Sequence, residues 1–198
     1  DLGIVPDFAQ HQTLYVSGFG QTLRSVDGGA TWTTLPAAGP NYGIVISPNF
    51  VVDHRLWQSF RSIEGAGDGS PDADVVRSHD SGESWFFSTT GLPGVYEPFP
   101  RHLAVSPRYA QDSTLATALS GQFVGWQSHD LFCSADGGGR WQNLGALPGN
   151  PDVTDLALTY EATSGLTLHI ASTAGVWHGE IDCQRAANTT WLPHIRKD

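Results

Sequence analysis

Ser25-Val26-Asp27-Gly28-Gly29-Ala30-Thr31-Trp32 returns with small changes as Ser78-His79-Asp80-Ser81-Gly82-Glu83-Ser84-Trp85, and again as Ser134-Ala135-Asp136-Gly137-Gly138-Gly139-Arg140-Trp141. All three obey Ser-x-Asp-x-Gly-x-x-Trp, and the tryptophans stand 53 and 56 residues apart. Recurrence at that interval marks a chain built from copies of one supersecondary unit, each burying its apolar faces against its neighbours. Repeated residues hold such units together, so function is expected where the repeat is broken.

The composition of the box follows from hairpin physics. Its turn needs positive φ, which Gly29, Gly82 and Gly138 supply. The carboxylates of Asp27, Asp80 and Asp136 accept backbone N–H groups in the loop, and Ser25, Ser78 and Ser134 add a second local bond. Trp32, Trp85 and Trp141 each start an outer strand and are expected to contribute a large apolar ring to the packing between units. These residues read as structural.

A second periodic signal lies upstream: Ile4-Val5-Pro6-Asp7-Phe8, Ile46-Ser47-Pro48-Asn49-Phe50 and Val105-Ser106-Pro107-Arg108-Tyr109. Proline cannot donate to a ladder, so each segment ends one strand and opens the connection to the next. Just ahead of the second strand stand His11, Asp53 and Asp112, which read as turn-closing side chains. Each unit then holds four short strands. In the second they run roughly from Gly43 to Ser47, Leu56 to Ser62, Asp74 to Ser78 and Ser84 to Ser88. In the fourth they run from Val153 to Tyr160, Leu166 to Ser172, Val176 to Ile181 and Thr190 to His194. The fourth box has decayed to Gln184, Ala186 and Asn188, as terminal repeats often do. The expected units are 1–36, 37–93, 94–148 and 149–198.

Ser-x-Asp-x-Gly-x-x-Trp resembles the Asp-box, or bacterial neuraminidase repeat, of β-propellers that include sialidases, xyloglucan-cleaving endoglucanases, sortilin-type receptors and photosystem II assembly factors. The resemblance covers essentially the whole chain. It implies an all-β propeller of four four-stranded antiparallel blades. Family propellers generally have more blades, so it also implies a partial ring or a fragment of a larger one, or a ring completed by a second copy. For activity it implies little, because the family houses unrelated functions.

If the box turn joins the third and fourth strands and the Pro segment joins the first and second, both fall on one rim. The opposite rim carries the links that vary: 63–73, 88–102 and 121–130. Long loops on one rim of adjacent units are the expected binding surface. Asp68, Asp72 and Asp74 lie on the first, Tyr96, Arg101 and His102 on the second, and Trp126, His129 and Asp130 on the third. Carboxylates beside exposed aromatic rings suit sugar stacking or a protein interface anchored by aromatics; the plain alternative is a solvated acidic loop. Asp68, Asp72 and Asp74 could offer oxygen ligands to Ca²⁺, but they lack the order of an EF-hand loop, and the expectation is no cofactor. The eight histidines form no His-x-His or His-x-x-x-His pair, so no transition metal is expected.

A sialidase-like hydrolase would need an arginine cluster and a Phe/Tyr-Arg-Ile-Pro segment; Phe60-Arg61-Ser62-Ile63 and Phe99-Pro100-Arg101 do not match. An ordinary glycosidase needs only a carboxylate pair, for which 20 Asp and Glu offer many candidates. The preferred expectation is a non-catalytic, extracytoplasmic module that binds a protein or glycan or supports a larger assembly; a glycoside hydrolase fragment is the alternative.

A net charge of −10 without any basic run argues against nucleic acid and anionic membranes as partners. No stretch approaches the roughly 18 apolar residues of a membrane span. With no Met and no targeting segment, the chain reads as a piece of a longer one. Cys133 and Cys183 each lie eight residues before a tryptophan. Equivalent positions on neighbouring units are usually too far apart to bridge unless the fourth unit is distorted, so two free, half-buried thiols are the preferred expectation.

Overall fold

The computed structural model describes residues 1–18, 20–36, 41–61, 73–93, 99–123, 126–163, 165–184 and 196–197. Four antiparallel sheets follow one another along the chain. The first contains β1 (Leu2–Ile4), β2 (Leu14–Gly18), β3 (Gln21–Ser25) and β4 (Thr33–Leu35). The second contains β5 (Asn41–Ile46), β6 (Leu56–Arg61), β7 (Ala73–Ser78) and β8 (Phe86–Phe87). The third is formed by β9 (Phe99–Val105), β10 (Leu115–Phe123), β12 (Asp130–Ser134) and β13 (Gln142–Ala146), with β11 (Trp126–Ser128) extending β10. The fourth has β14 (Val153–Glu161), β15 (Gly165–Ser172), β16 (Gly175–Glu180) and β17 (Arg196–Lys197). The first strands β1, β5, β9 and β14 pack on one another in that order, so the sheets radiate from them as propeller blades.

Three apolar clusters separate the blades. Val5, Tyr15, Leu35, Ile44, Phe50 and Leu56 fill the first junction. Trp57, Val75, Tyr109, Leu115, Phe132 and Trp141 fill the second, and the largest cluster, around Leu131, Cys133, Leu156, Leu168 and Ile170, fills the third.

Each box is a closed local network. Ser25 Oγ accepts the Gly29 N–H at 2.8 Å and donates to Asp27 Oδ1 at 2.8 Å, and the Thr31 N–H donates to the same oxygen at 2.8 Å. Ser78 and Asp80 repeat the pattern with Gly82 and Ser84, and Ser134 and Asp136 repeat it with Gly138 and Arg140. Gly29, Gly82 and Gly138 have φ of 95°, 90° and 86°, as their places in the box require.

The Pro segments hold more order than a loop. Each contains one helical turn: α1 (Phe8–His11), α2 (Phe50–Asp53) and α3 (Tyr109–Asp112), ended by Gln12, His54 and Ser113 in the left-handed conformation. The carbonyls of those three residues accept the N–H of Gly28, Ser81 and Gly137, which joins each helical turn to the box of its own blade. Asp53 and Asp112 do close the turn: Asp53 Oδ2 accepts Ser47 Oγ at 2.7 Å and its Oδ1 accepts the Arg55 N–H at 3.0 Å, with Ser106, Asp112 and Thr114 matching. Blade one has no such carboxylate. His11 stands there, and the buried Ser47 and Ser106 are answered by a buried Val5, so polar partner and polar receptor are replaced together.

Four expectations are corrected. Residues 121–128 are not a loop: β10 continues past its last pair with β12 (Ala118↔Leu131) and turns into β11, with Phe123 opposite Trp126. Blade four has no helical turn among its described residues: β14 and β15 form a direct hairpin from Glu161 to Gly165, and the described outer strand is Arg196–Lys197, whereas 185–195, with the decayed box and 190–194, lies outside the described residues. The box tryptophans differ: Trp141 is 2 % exposed, but Trp32 is 40 % exposed and, among the described residues, its Nε1 donates to its own Gly29 carbonyl and no blade lies against it. Finally, Cys133 and Cys183 are both buried and bonded to each other, with Cα atoms 5.9 Å apart. Although β17 later returns to pair with β16, the chain leaving β16 lays Ile181 and Cys183 into the apolar cluster of the third junction. It runs beside blade three, where Gln142 Nε2 donates to the Cys183 carbonyl at 2.9 Å.

Candidate functional site

The Pro turns and boxes share one rim, and the links 19–20, 62–72, 124–125 and 173–174 share the other. On the latter rim, Asp68, Asp72 and Tyr96 lie outside the described residues. Asp74 is on β7 opposite Phe60, and Arg101 lies in β9. His102 is half-buried in β9, opposite Ala118, and its carbonyl accepts Thr117 Oγ1 at 2.9 Å. Trp126 is at the tip of the β10–β11 hairpin. His129 is buried rather than displayed; its Nε2 is 3.3 Å from Asp152 Oδ1, and its N–H donates to Asn150 Oδ1. Asp130 starts β12 and accepts Asn143 Nδ2 at 2.9 Å. His129 therefore helps join blade three to the link preceding blade four, whereas Asp130 bonds within its own blade. Among the described residues, no three His, Cys, Asp or Glu side chains are grouped to hold a metal ion.

The box rim carries a recess that the motif reading missed. Val5, Thr13, Tyr15, Arg24, Phe50, His11, His54 and Ser81 line a cavity of about 210 Å³ between blades one and two. Tyr15 reaches across the junction: its ring stands edge-on to Phe50, 5.8 Å between centroids, and its OH donates to the Ser81 carbonyl at 3.1 Å. Burial pushes the phenol above its usual pKa, with the Arg24 charge working against it. Arg24 pairs with Glu83 at 2.8 Å. The rims are imidazoles: His11 lies 3.2 Å from Asp7, and His54 faces Ser81 Oγ at 3.4 Å.

At the next junction the same places are held by Trp57 and Tyr109. Their rings meet edge-on at 4.8 Å, and Trp57 Nε1 donates to the Gly137 carbonyl at 3.1 Å. Ser81 and Gly137 occupy the same box position, so a strand-two aromatic of blades one and two is hydrogen-bonded to the following box. The signal was present in the sequence as Leu14-Tyr15 and Leu56-Trp57 ahead of each box, with Arg24 and Arg77 directly before the box serine. Neighbouring Arg55 donates to Tyr109 Oη at 3.0 Å. Burial, then the charges of Arg55 and Arg77, lower the pKa of His79 beside them.

Chemically the box carboxylates are committed acceptors. The Thr31 hydroxyl and N–H and the Ser25 hydroxyl hold Asp27 down to about 2. At Asp80 and Asp136 burial acts upward, but bonds from Ser84 and Ser78, and from Arg140 and Ser134, more than offset it and the carboxyls are lowered. Groups held ionised in this way are poor proton donors. The recess offers no carboxylate pair: Glu83 is taken by Arg24, and the cavity falls short of the roughly 300–1,000 Å³ usual for small-molecule sites.

The fold defines a β-propeller, and solved structures agree. The chain superposes on an ancestral GH74 enzyme with a TM-score of 0.65 at 14% identity, covering 90% of this chain and 22% of that one. The GH74 xyloglucanase from Xanthomonas campestris gives 0.62 at 17% identity, with coverages of 92% and 27%. An extracellular domain from B. thetaiotaomicron, described as that of a hybrid two component system, gives 0.60 at 13% identity, with coverages of 99% and 21%. The chain thus spans about a quarter of the length of these structures, and the likeness is one of fold. No family model matches the sequence, and no curated protein matches it.

Proposed function

We propose that this chain is a non-catalytic, extracytoplasmic propeller module of the Asp-box kind, which binds a protein or glycan partner on the rim opposite the boxes or scaffolds a larger assembly there. The observation that carries the reading is the β10–β11 hairpin. It continues β10 past its last pairs with β9 and β12, and it carries Phe123 and Trp126 opposite one another on the rim opposite the boxes. Aromatic residues on this ribbon, in a chain whose 62–72 link carries Asp68 and Asp72 in sequence, suit an amphipathic partner. Each described box carboxylate is spent on its own turn, which leaves the repeats to structure and the irregular rim to recognition. The Cys133–Cys183 bridge supports an extracytoplasmic place, since such bonds persist in oxidising compartments.

The test is a glycan array and a partner pull-down with wild type, Trp126→Ala and Asp72→Ala. Binding that is lost in both variants while melting is unchanged bears the reading out. Turnover of aryl glycosides by the wild-type chain would replace it with that of a glycoside hydrolase.

A further inference from the structure

The blades have two unlike faces. In blade two, Ile44, Leu56, Gln58 and Val76 are at most 4 % exposed, and blade one covers them: Gln58 Nε2 donates to Thr22 Oγ1 at 2.7 Å, and Leu56 packs with Val5, Tyr15 and Leu35. In blade three the corresponding face, with Leu115, Phe132 and Trp141, packs on Trp57 and Val75 of blade two, and Trp141 Nε1 donates to the Ser88 carbonyl at 2.8 Å. Counted from the box, these positions in blade one are Leu2, Leu14, Val16, Leu23 and Trp32. No described blade covers them. Leu2 is 55 % exposed where Ile44 is 4 % exposed, Ile4 and Trp32 are exposed, and Leu14, Val16 and Leu23 are half-buried. The register sets Leu2, Val16 and Leu23 in one apolar row across three strands. Gly28 is exposed too, at the box position whose carbonyl takes the Tyr15 or Trp57 donor in the following blades.

The other end of the series is unlike this. The outward face of blade four presents Thr159, Thr167, His169, His178 and Glu180 beside one exposed apolar side chain, Val176, with Thr159 Oγ1 2.8 Å from His169 Nε2. That polar face does not complement the apolar face of blade one, so head-to-tail pairing of two copies would bury hydroxyls and imidazoles against leucines.

We propose that the outward face of blade one is a docking surface for one further four-stranded blade of the same repeat, seated on it as blade one sits on blade two. The established interfaces state the chemistry of the occupant: an aromatic donor at the Tyr15/Trp57 position aimed at the Gly28 carbonyl, and an arginine directly before its box serine. The inference rests on the fold and the repeat register alone, and stands or falls independently of what the opposite rim binds.

A chain extended ahead of Asp1 by a second copy of residues 41–101 tests it. Asp1 then holds the place that His102 holds after blade two, and the added Trp57 and Arg77 supply the expected groups. Oxidative footprinting read by mass spectrometry should show Leu23 and Trp32, which are unique to the original blade one, losing their labelling down to the level of Trp141. Melting should rise relative to the unextended chain. Trp57→Ala with Arg77→Ala in the added copy, or Leu23→Lys in blade one, should restore the labelling. Leu23→Lys without the extension should leave the fold intact, since that side chain lies on the open face. Undiminished labelling of Trp32 in the extended chain overturns the proposal. So does light scattering that finds the unextended chain paired with Trp32 already protected, because the occupant is then a second copy.

Discussion

Trp32 and Trp141 hold the same place in the same motif, and truncating each to alanine separates what the motif contributes from what the neighbouring blade contributes. Trp141 is 2 % exposed, lies within the second junction cluster and donates Nε1–H to the Ser88 carbonyl. Removing it empties a cavity between two sheets and strands that carbonyl, so Trp141→Ala should cost about 3–5 kcal/mol. Trp32 is 40 % exposed, bonds only to its own Gly29 carbonyl and leaves no enclosed void when cut back. Discounted for exposure and for the absent cavity, Trp32→Ala should cost about 1–2 kcal/mol. For a chain of this length, 1 kcal/mol moves Tm by about 2–4 °C, which gives losses near 10 °C and near 4 °C. In urea the gap of about 2 kcal/mol should separate the midpoints by about 1 M. Thermal and urea melts followed by circular dichroism, with the disulfide intact, read both. Equal losses, or a larger loss at Trp32, would refute the argument that cross-blade burial decides the energetic role of the box tryptophan.

Three further outcomes follow from the same contacts. Asp27 is held at about 2 against 3.8 in the unfolded chain, so the stability its box contributes is complete above about pH 4 and is lost as pH falls toward 2; Tm measured across that window should drop less steeply in Asp27→Asn than in wild type. The Cys133–Cys183 bridge closes a separation of 50 residues, for which chain entropy gives about 4 kcal/mol, so Cys133→Ser with Cys183→Ser should lower Tm and speed amide exchange in the third junction first; an unchanged melt would contradict that role. Ser47→Val should cost about 1–3 kcal/mol by removing a donor to Asp53, and adding Asp53→His, which recreates the Val5/His11 pairing of blade one, should recover part of it; a double variant less stable than the single would sink the idea that the two positions are exchanged together.

The sequence alone determined the unit: four groups of strands, a Ser-x-Asp-x-Gly-x-x-Trp corner between the third and fourth strands in three of them, and the placing of Pro turn and box on one rim. Those features are legible because their bonds join residues two to four apart, such as Ser25 to Asp27 and Asp27 to Thr31, so composition and spacing carry the whole interaction. Asp53 and Asp112 were readable as turn closers for the same reason. What the sequence could not decide lies across junctions. Tyr15 meets Ser81 over 66 residues, Trp57 meets Gly137 over 80, and Gln58 is buried by a hydroxyl 36 residues away. The disulfide depends on the chain leaving β16 toward blade three; the decayed fourth box signals a departure from the repeat but not its direction. The rim chosen for binding suffered likewise: His129 looked like a loop residue and is buried against Asp152, because the strand that precedes it extends into a hairpin. Local hydrogen bonding is written in neighbouring residues. Which face of a blade is covered, and by what, depends on the rigid-body placement of whole sheets, and only the tertiary structure decides that.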